Sequence, residues 1–207
     1  MRLTKLAHAC VRVEKDGGTV VIDPSAWAGP QAYEGASAVL ITHEHFDHFD
    51  PEGLRAALDS NPGLELWAAP PVAALFENAG GRAHAVTHGD TFQAAGFDVH
   101  VYGQQHAVLH RDIPVIPNTG FMVDTVFHPG DALTVPEDPV DTLLLPVSGP
   151  WLKMGEMVDY ARDVAPRRGY AIHDALWSDT GLMVLDNFLK MSGDSFVRVP
   201  PGTTVEL

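Results

Sequence analysis

The sequence predicts an α/β fold in which two β-sheets pack face to face and helices cover their outer sides. Three observations lead to this prediction: helix signals lie early and late in the chain, strand signals run throughout it, and 45% of its 207 residues are hydrophobic. A chain of this length and composition can bury a substantial core without disulfides or a partner. We expect one domain over residues 1–207, without repeats, linkers or low-complexity segments.

The first third of the chain alternates strand and helix signals. Two β-rich segments, residues 6–13 and 19–22, flank Asp16-Gly17-Gly18, whose glycines tolerate the positive φ of a hairpin turn. Residues 38–42 form a short apolar run that is typical of a buried strand. Asp50, which precedes a proline, is predicted as the N-cap of the first helix. A strand over 64–68 and a helix over about 70–78 follow.

The remainder of the chain is predicted in two parts. Residues 83–131 alternate short strands with turn signals, which indicates a β meander. After it, strands and helices alternate again. The predicted elements are strands over 142–145 and 170–172, helices over about 155–165 and 179–190, and closing β segments over 196–199 and 203–206.

Composition restricts the classes of partner. The formal net charge of −14 leaves no surplus of Lys and Arg for nucleic acid or an anionic membrane surface, so we expect neither as a partner. No apolar run approaches the roughly 18 residues of a membrane span, and the N-terminus lacks the apolar core of an export signal. The single cysteine, Cys10, lies in an apolar stretch and is expected to be a buried thiol. A reducing cytoplasm and a small-molecule substrate fit these features best.

Four metal-binding side chains lie together directly after the apolar run of residues 38–42. In an extended chain His43, His45 and Asp47 point to one side, and the turn that follows can bring His48 to the same place. Imidazole and carboxylate groups suit Zn²⁺, Mn²⁺ or Fe²⁺. Two histidines at i and i+2 would alone indicate a solvated strand end, but the added aspartate and histidine favour a metal site. Four ligands cannot complete two metal ions, so further ligands are expected elsewhere.

The pattern His-x-His-x-Asp-His resembles the signature of the metallo-β-lactamase superfamily, whose fold is a four-layer αββα sandwich of two mixed sheets flanked by helices. The resemblance covers nearly the whole chain, because Asp23 matches the carboxylate beneath the superfamily's metal site and the later ligands occur in the expected order. It implies two divalent metal ions and seven ligands: His43, His45 and His106 for the first, Asp47, His48 and His173 for the second, and Asp131 bridging both. Zinc is expected first, with manganese or iron as alternatives.

Three of these ligand assignments leave an alternative open when each residue is considered alone: another residue for the first, and another role for the other two. His100 and His110 compete with His106 as the loop ligand. Asp131, after a glycine, has the setting of a turn aspartate that bonds its own backbone, and His173 has that of a core histidine at a strand end. The order of the motifs favours the ligand assignments.

Several further residues are candidates for the surroundings of the site. His8 and His128 are expected beneath the ligands. Three tryptophans follow predicted strands, where they belong either to the core or to the wall of an apolar pocket: Trp27, Trp151 and Trp177. Arg111 is the one cation near the ligand loops, and Ser148 is expected in a pocket loop because it lacks the setting of a nucleophile elbow.

Details of the motifs favour one branch of the superfamily. True β-lactamases of the common class carry a cysteine where the bridging aspartate would be, and Cys10 is the only cysteine of this chain. The residues around His8, Asp23 and His173 are instead similar to the ascorbate-6-phosphate lactonase-like and related hydrolases. Iron-binding relatives usually replace the second motif histidine by glutamate, whereas this chain has His45, which disfavours a redox role.

The resemblance implies a hydrolase in which a hydroxide shared by two metal ions attacks a small ester, lactone or phosphodiester. Asp47 is expected to orient the hydroxide and take its proton, and His110 is the candidate acid for the leaving group. Two alternatives stay open: an iron-dependent redox or oxygen-using protein of the same fold, and a metal-stabilised binding domain without catalysis.

Overall fold

Fourteen strands and four α-helices form the protein, whose computed structural model describes residues 1–207. The strands are β1 (Arg2–Ala7), β2 (Cys10–Lys15), β3 (Gly18–Ile22), β4 (Ala38–Ile41), β5 (Glu65–Ala68), β6 (Ala83–Ala85), β7 (Thr91–Ala94), β8 (Phe97–Tyr102), β9 (Gly120–Val123), β10 (Val126–His128), β11 (Thr142–Pro146), β12 (Arg168–Ile172), β13 (Phe196–Val197) and β14 (Thr204–Glu206). The helices are α1 (Pro51–Ser60), α2 (Pro70–Ala74), α3 (Met154–Val164) and α4 (Asp179–Ser192), with a 3-10 helix at Pro30–Tyr33. None of them combines the length and apolarity that crossing a membrane requires.

The strands assemble into two seven-stranded mixed sheets, which confirms the predicted fold class. The first sheet has the order β14-β1-β2-β3-β4-β5-β6, and the second has the order β13-β12-β11-β10-β9-β8-β7. In the first sheet an antiparallel part, β1 to β3, continues into a parallel part, β3 to β6. In the second sheet β7 to β10 are antiparallel and β10 to β13 are parallel. The two halves of the chain therefore share one topology, although the sequence shows no repeat.

Three hydrophobic clusters hold the layers together. The central cluster lies between the sheets and joins residues such as Leu40 of the first sheet and Phe121 of the second. A second cluster packs Leu54 of α1 onto the outer face of the first sheet, and a third packs Met157 of α3 and Leu185 of α4 onto the second sheet. Each sheet is thus buried on both faces, by the other sheet on one and by helices on the other, which gives the layer order α, β, β, α.

The N-terminal hairpin differs from its prediction. Residues 6–13 do not form one strand, because the chain reverses between β1 and β2, where Ala7 pairs with Cys10 across a two-residue turn. His8 in this turn has a φ of 45°, a left-handed conformation that hydrophobic patterning cannot reveal. Strand β6 also differs, because it pairs with β5 in the first sheet and does not belong to the meander. The other predicted elements lie at or close to the observed ones.

Cys10 is a free, fully buried cysteine, as predicted. It begins β2 and packs in the cluster beneath α1, and this burial raises the pKa of its thiol well above the ordinary value. A thiol of this kind is protonated at neutral pH and is a poor metal ligand.

The carboxyl ends of the parallel strands meet at one edge of the sandwich. Asp23 follows β3, residues 42–48 follow β4, Asp131 follows β10 and His173 follows β12. In open α/β sheets the crevice outside the carboxyl ends of the strands is where ligands bind. The topology of both sheets therefore delivers the predicted metal ligands to the same place.

Candidate metal centre

The loop after β4 supplies four polar side chains within six residues. It leaves the strand in extended form and then turns, with the amides of His48 and Phe49 donating to the carbonyl of His45 at 3.0 and 2.9 Å. The turn brings His48 back toward the strand end, where its side chain is fully buried. His45 and Asp47 stay closer to solvent, and Phe46 between them is exposed.

Eight potential ligands form two groups of four. In each group the ligand atoms all lie within 4.8 Å of one another. The first group contains His43, His45, His106 and Asp131, and the second contains His8, Asp47, His48 and His173. All seven residues assigned by the sequence are brought together, and His8 is added to them.

Asp131 lies between the two groups. Its Oδ1 is 3.1 Å from Nε2 of His48, and its Oδ2 is 3.4 Å from Nε2 of His106 and 3.2 Å from Nε2 of His173. Trp151 donates from its indole nitrogen to the same Oδ2 at 2.9 Å. The carboxylate thus faces histidines of both groups, which is the position that a bridging ligand requires.

Hydrogen bonds fix the orientation of three histidine rings. Nδ1 of His106 contacts the carbonyl oxygen of Ala107 at 2.6 Å, and Nδ1 of His48 contacts Oδ2 of Asp23 at 2.7 Å. Carbonyl and carboxylate oxygens are acceptors, so both Nδ1 atoms donate, and Nε2 carries the lone pair whenever the ring is neutral.

His43 reaches the same state through Thr42. The Thr42 hydroxyl donates to Asp23 at 2.7 Å, so its oxygen accepts from Nδ1 of His43 at 3.0 Å. Metal-binding histidines characteristically donate their other ring N–H in this way. The contacts at Nδ1 therefore orient the three rings and leave Nε2 as the atom of each that can bind a metal once it is unprotonated.

Seven buried side-chain atoms of the centre have no hydrogen-bond partner of normal geometry in the protein. These atoms are Nε2 of His8, His43, His48, His106 and His173, Nδ1 of His173, and also Oδ1 of Asp131. Unpaired buried polar atoms are rare and costly. Nitrogen and carboxylate donors that converge without partners form a set that fits divalent metal ions such as zinc.

The charges of the metal-free centre compensate one another. Burial would by itself raise the pKa of Asp47, but contacts with His173 and His8 lower it below the ordinary value. Burial would lower the pKa of His48, but the carboxylates of Asp131 and Asp23 raise it well above the ordinary value. A cation between the carboxylates is therefore favoured, whether it is a protonated ring or a metal.

Asp23 supports the centre from below, as the sequence predicts. It is fully buried, and its two oxygens accept from the amide and hydroxyl of Thr42 and from His48. Its φ of 51° is in the left-handed region, as are those of His8 and His173. Non-glycine residues in this region are uncommon and concentrate at functional sites.

The turn before Asp131 is held by side chains from other elements. Asn118 accepts from the Asp131 amide at 3.0 Å and donates to the Pro129 carbonyl at 2.9 Å. His128 accepts from the amide of Gly130 at 3.1 Å, and its other nitrogen is 2.9 Å from the Ala9 carbonyl. Both nitrogens of His128 are thus used by the backbone, which makes it a structural histidine beneath the ligands.

Three candidates from the sequence lie outside the two groups. The His110 side chain is 56% exposed on the loop between β8 and β9 and contacts Asp112. Arg111 is exposed as well and pairs with the same aspartate. Ser148 lies beneath the centre, where its buried hydroxyl donates to the carbonyl of His173. The expected acid and the expected cation therefore face solvent in this structure.

The tryptophans line two cavities next to residues of the centre. Trp27 and Trp177 line a cavity of about 460 Å³ that His8 also borders. Trp151 and Leu109 line another cavity of about 510 Å³. Trp27 is 44% exposed and its ring meets those of His8 and Phe46 edge to face, at centroid distances of 4.9 and 5.7 Å.

The sequence predicts His8 beneath the ligands, and the structure places its ring in the second group, beside Asp47. Its position depends on the turn between β1 and β2 and on the left-handed conformation of His8, which the sequence pattern does not reveal. The closeness of His8 to Asp47 exists only because the hairpin and the β4 loop meet at the same edge.

Comparison with known proteins identifies the family. A family model described as "Beta-lactamase superfamily domain" matches residues 2–173. Protein Rv0786c of Mycobacterium tuberculosis is 41% identical over 183 residues, which cover 85% of each chain. The UPF0173 metal-dependent hydrolase EAT1b_0495 of Exiguobacterium sp. is 26% identical, with 100% of each chain covered.

A solved structure shares the architecture. Igni18, a metallo hydrolase from Ignicoccus hospitalis, matches with a TM-score of 0.77 and 18% identity over 99% of this chain and 97% of that chain. At this identity the likeness shows the fold alone. Together with the family model, these findings show that the chain belongs to the beta-lactamase superfamily and has the metallo-β-lactamase fold.

Proposed function

We propose that this protein is a metal-dependent hydrolase with a binuclear centre. The observation that carries the proposal is the pair of four-residue groups with Asp131 between them. The name of the relative EAT1b_0495, a metal-dependent hydrolase, supports the same activity. The similarity to the ascorbate-6-phosphate lactonase-like branch stays a prediction.

The residues present fit two metal ions. His43, His45 and His106 would hold the first, Asp47, His48 and His173 the second, and Asp131 both. Two such cations lower the pKa of a shared water and stabilise the negative charge that develops on a carbonyl or phosphoryl oxygen. Zinc is the metal we propose, because imidazole and carboxylate ligands in a rigid, partly neutral set suit it.

The chain's own residues orient the carboxylates of the centre. Trp151 donates to Oδ2 of Asp131, which fixes the rotation of that carboxylate. Asp47 is 15% exposed, whereas Asp131 is buried, so Asp47 is the carboxylate of the centre that solvent and substrate can reach. We assign to Asp47 the acceptance of the proton that hydrolysis releases.

We assign the substrate to small, uncharged esters or lactones rather than phosphodiesters. The cavity beside His8 is lined by Trp27, Trp177 and Leu182, which offer apolar surface. Its cation, Arg198, is already bound to Asp186 through two hydrogen bonds. An anionic substrate would find no free cation there, whereas an acyl group would find apolar walls.

A substrate screen with defined metals tests the function. Metal-free protein is loaded with Zn²⁺ or Mn²⁺ and assayed on a lactone, an aryl ester, a thioester, a phosphodiester and a β-lactam. We expect hydrolysis of the lactone or ester, absence of β-lactam hydrolysis, and loss of activity in His48→Ala. Elemental analysis should give about two metal ions per chain, because seven ligands exceed the needs of one tetrahedral site.

Several outcomes would contradict the proposal. A metal content near zero after supplementation would remove the centre. Two bound metal ions without turnover of any substrate would support a metal-stabilised binding domain. A coloured, redox-active preparation would support the iron-dependent alternative.

A further inference from the structure

His8 is the one histidine of the centre whose role its position alone does not decide. Its side chain is fully buried, and its Nε2 lies 3.4 Å from Oδ2 of Asp47 without forming a hydrogen bond. It shares a group with Asp47, His48 and His173, in which every residue offers a ligand atom. Proximity therefore permits two roles, an additional metal ligand or a hydrogen-bond donor.

The contact at the other ring nitrogen distinguishes the two roles. The backbone amide of Ala175 donates to Nδ1 of His8 at 3.2 Å. A nitrogen that accepts a hydrogen bond carries no proton, so the proton of the neutral ring is on Nε2. This is opposite to His48 and His106, whose Nδ1 atoms face oxygen acceptors.

The orientation of the ring is supported by its surroundings. The Ala175 amide donates to no backbone carbonyl, so a flipped ring would place a carbon atom against this N–H. The His8 carbonyl accepts from the amide of His173 at 3.0 Å, and the two rings lie 4.0 Å apart. Trp27 meets the ring edge to face, at a centroid distance of 4.9 Å.

We propose that His8 is a positioning residue that donates from Nε2–H to Oδ2 of Asp47 and does not bind metal. As a ligand it would have to move its proton to Nδ1, where the new N–H would oppose the N–H of Ala175. As a donor it would need only a small adjustment of the 3.4 Å contact to satisfy Nε2 as well as Nδ1, and it would then hold the Asp47 carboxylate in place. The role of His8 in turnover rests on the proposed hydrolase function. The position of the proton on its ring is independent of that function.

The proton position can be measured directly in the folded, metal-loaded protein. Long-range ¹H–¹⁵N correlation spectra are recorded on zinc-loaded protein labelled with ¹⁵N-histidine, and the His8 signals are assigned by their loss in His8→Gln. We expect Nε2 of His8 to appear protonated and Nδ1 unprotonated, whereas His48 and His106 show the reverse pattern. A His8 ring with a metal-bound Nε2 and a protonated Nδ1 would overturn the proposal.

Metal content and kinetics of variants give a second, independent test. His8→Ala should keep the wild-type metal content after dialysis, whereas the matched variant His48→Ala should lose metal. With a substrate from the screen, His8→Ala should lower kcat by about 10-fold or more with a smaller change in KM, in line with the loss of an outer partner of a ligand. His8→Gln, which retains an N–H donor, should recover part of the loss. Loss of one metal ion in His8→Ala, to the level of His48→Ala, would make His8 a ligand and refute the proposal.

Discussion

A histidine can bind a metal only through an unprotonated ring nitrogen, and the partner of its other nitrogen decides which one is free. In this protein an oxygen acceptor faces Nδ1 of His48 and His106, whereas an amide donor faces Nδ1 of His8. One contact at Nδ1 thus decides whether the Nε2 of a neutral histidine in this centre can bind a metal or carries the proton.

The first prediction at this scale concerns Asp131. Asp131→Ala removes an anionic group from both metal positions, so we expect the metal content to fall from about two to about one per chain. The second position should be emptied first, because the first keeps three imidazoles, a set that by itself binds zinc in tri-histidine sites. Elemental analysis measures the metal content, and calorimetric titration with Zn²⁺ measures the number of binding events.

The matched control for this prediction is Asp138→Ala. Asp138 lies outside the centre, where it accepts from Tyr102 and His100 at 2.6 and 2.8 Å. Its substitution should leave both binding events intact. Two undiminished binding events in Asp131→Ala would remove the bridge from the proposed centre.

The second prediction concerns the carboxylate beneath the ligands. Asp23→Asn retains the size of the side chain but loses charge at the atom that accepts from His48 and Thr42. We expect zinc affinity to fall by about 10–100-fold, since the outer partners of metal ligands have effects of this size. Competition with a chromogenic chelator measures the affinity, and Asp16→Asn, on the exposed β2–β3 turn, serves as the control. Equal affinities in both variants would show that Asp23 only supports the fold.

At the scale of elements, the centre depends on turns that follow strands more than on the strands themselves. The turn after β10 requires Gly130, whose φ is 65° and whose added Cβ would lie 2.2 Å from Oδ1 of Asn118. Asn118 also accepts from the Asp131 amide, so a displacement there is transmitted to the carboxylate. The turn thus couples backbone conformation to metal binding.

Gly130→Ala is predicted to lower the free energy of unfolding by about 3 kcal/mol or more, because it adds a clash to the strain of a left-handed alanine. Gly17→Ala separates the two effects, since Gly17 has a φ of 87° and open space around it. It should cost only about 1–2 kcal/mol and leave metal binding unchanged. Urea denaturation and zinc titration measure both quantities. Equal losses in the two variants would disprove the clash.

The C-terminal elements are connected by an ion pair at the surface. Arg198 donates two hydrogen bonds to Asp186 of α4, at 2.6 and 2.8 Å, and these bonds lower the pKa of Asp186 below its ordinary value. Because the folded-state pKa is depressed, the contribution to stability is present above the ordinary pKa of aspartate and is lost as pH falls through the folded-state value. The affected window is therefore acidic.

Asp186→Asn should lower the melting temperature at pH 7 by no more than about 3 °C, the size expected for an exposed pair. The difference from the wild type should shrink as the pH is lowered through the acidic range in which Asp186 is protonated. Asp194→Asn, an exposed aspartate without an ion pair, should change nothing at either pH. Thermal unfolding of metal-free protein at several pH values provides the measurement, and a difference that persists at low pH would contradict the assignment.

At the scale of the whole molecule, the centre joins the two sheets. Its residues come from the β1–β2 turn and the β4 loop on one side and from the second sheet on the other, with a backbone hydrogen bond between His173 and His8. A metal ion held at this edge would link both halves of the sandwich. Metal binding and stability of the fold should therefore be coupled.

Removal of metal is predicted to lower the melting temperature of the protein. At a free zinc concentration about 1,000 times the Kd, binding contributes about 4 kcal/mol, which corresponds to a shift on the order of 10 °C for a chain of this size. Scanning calorimetry with and without chelator measures the shift, and Asp131→Ala should show a smaller one. Equal melting temperatures of wild-type protein in both conditions would show that no metal is bound in the folded state.

The sequence by itself determined the class of the fold and most of the proposed ligand set. Hydrophobic runs and turn residues indicate the strands and helices because burial and backbone conformation act over a few neighbouring residues. The cluster at residues 43–48 could be identified because four of its ligands lie on one loop. Local signals of this kind are independent of the rest of the chain.

Only the tertiary structure decided which distant side chains meet and in which protonation state. It divided the predicted strand of residues 6–13 into a hairpin, moved β6 into the first sheet and left His110 on the surface. It also placed His8 beside Asp47, 39 positions away in the chain (47 − 8), and brought the amide of Ala175 to its ring. These contacts join residues that are far apart in sequence, and a hydrogen bond between such residues exists only after both sheets have packed together.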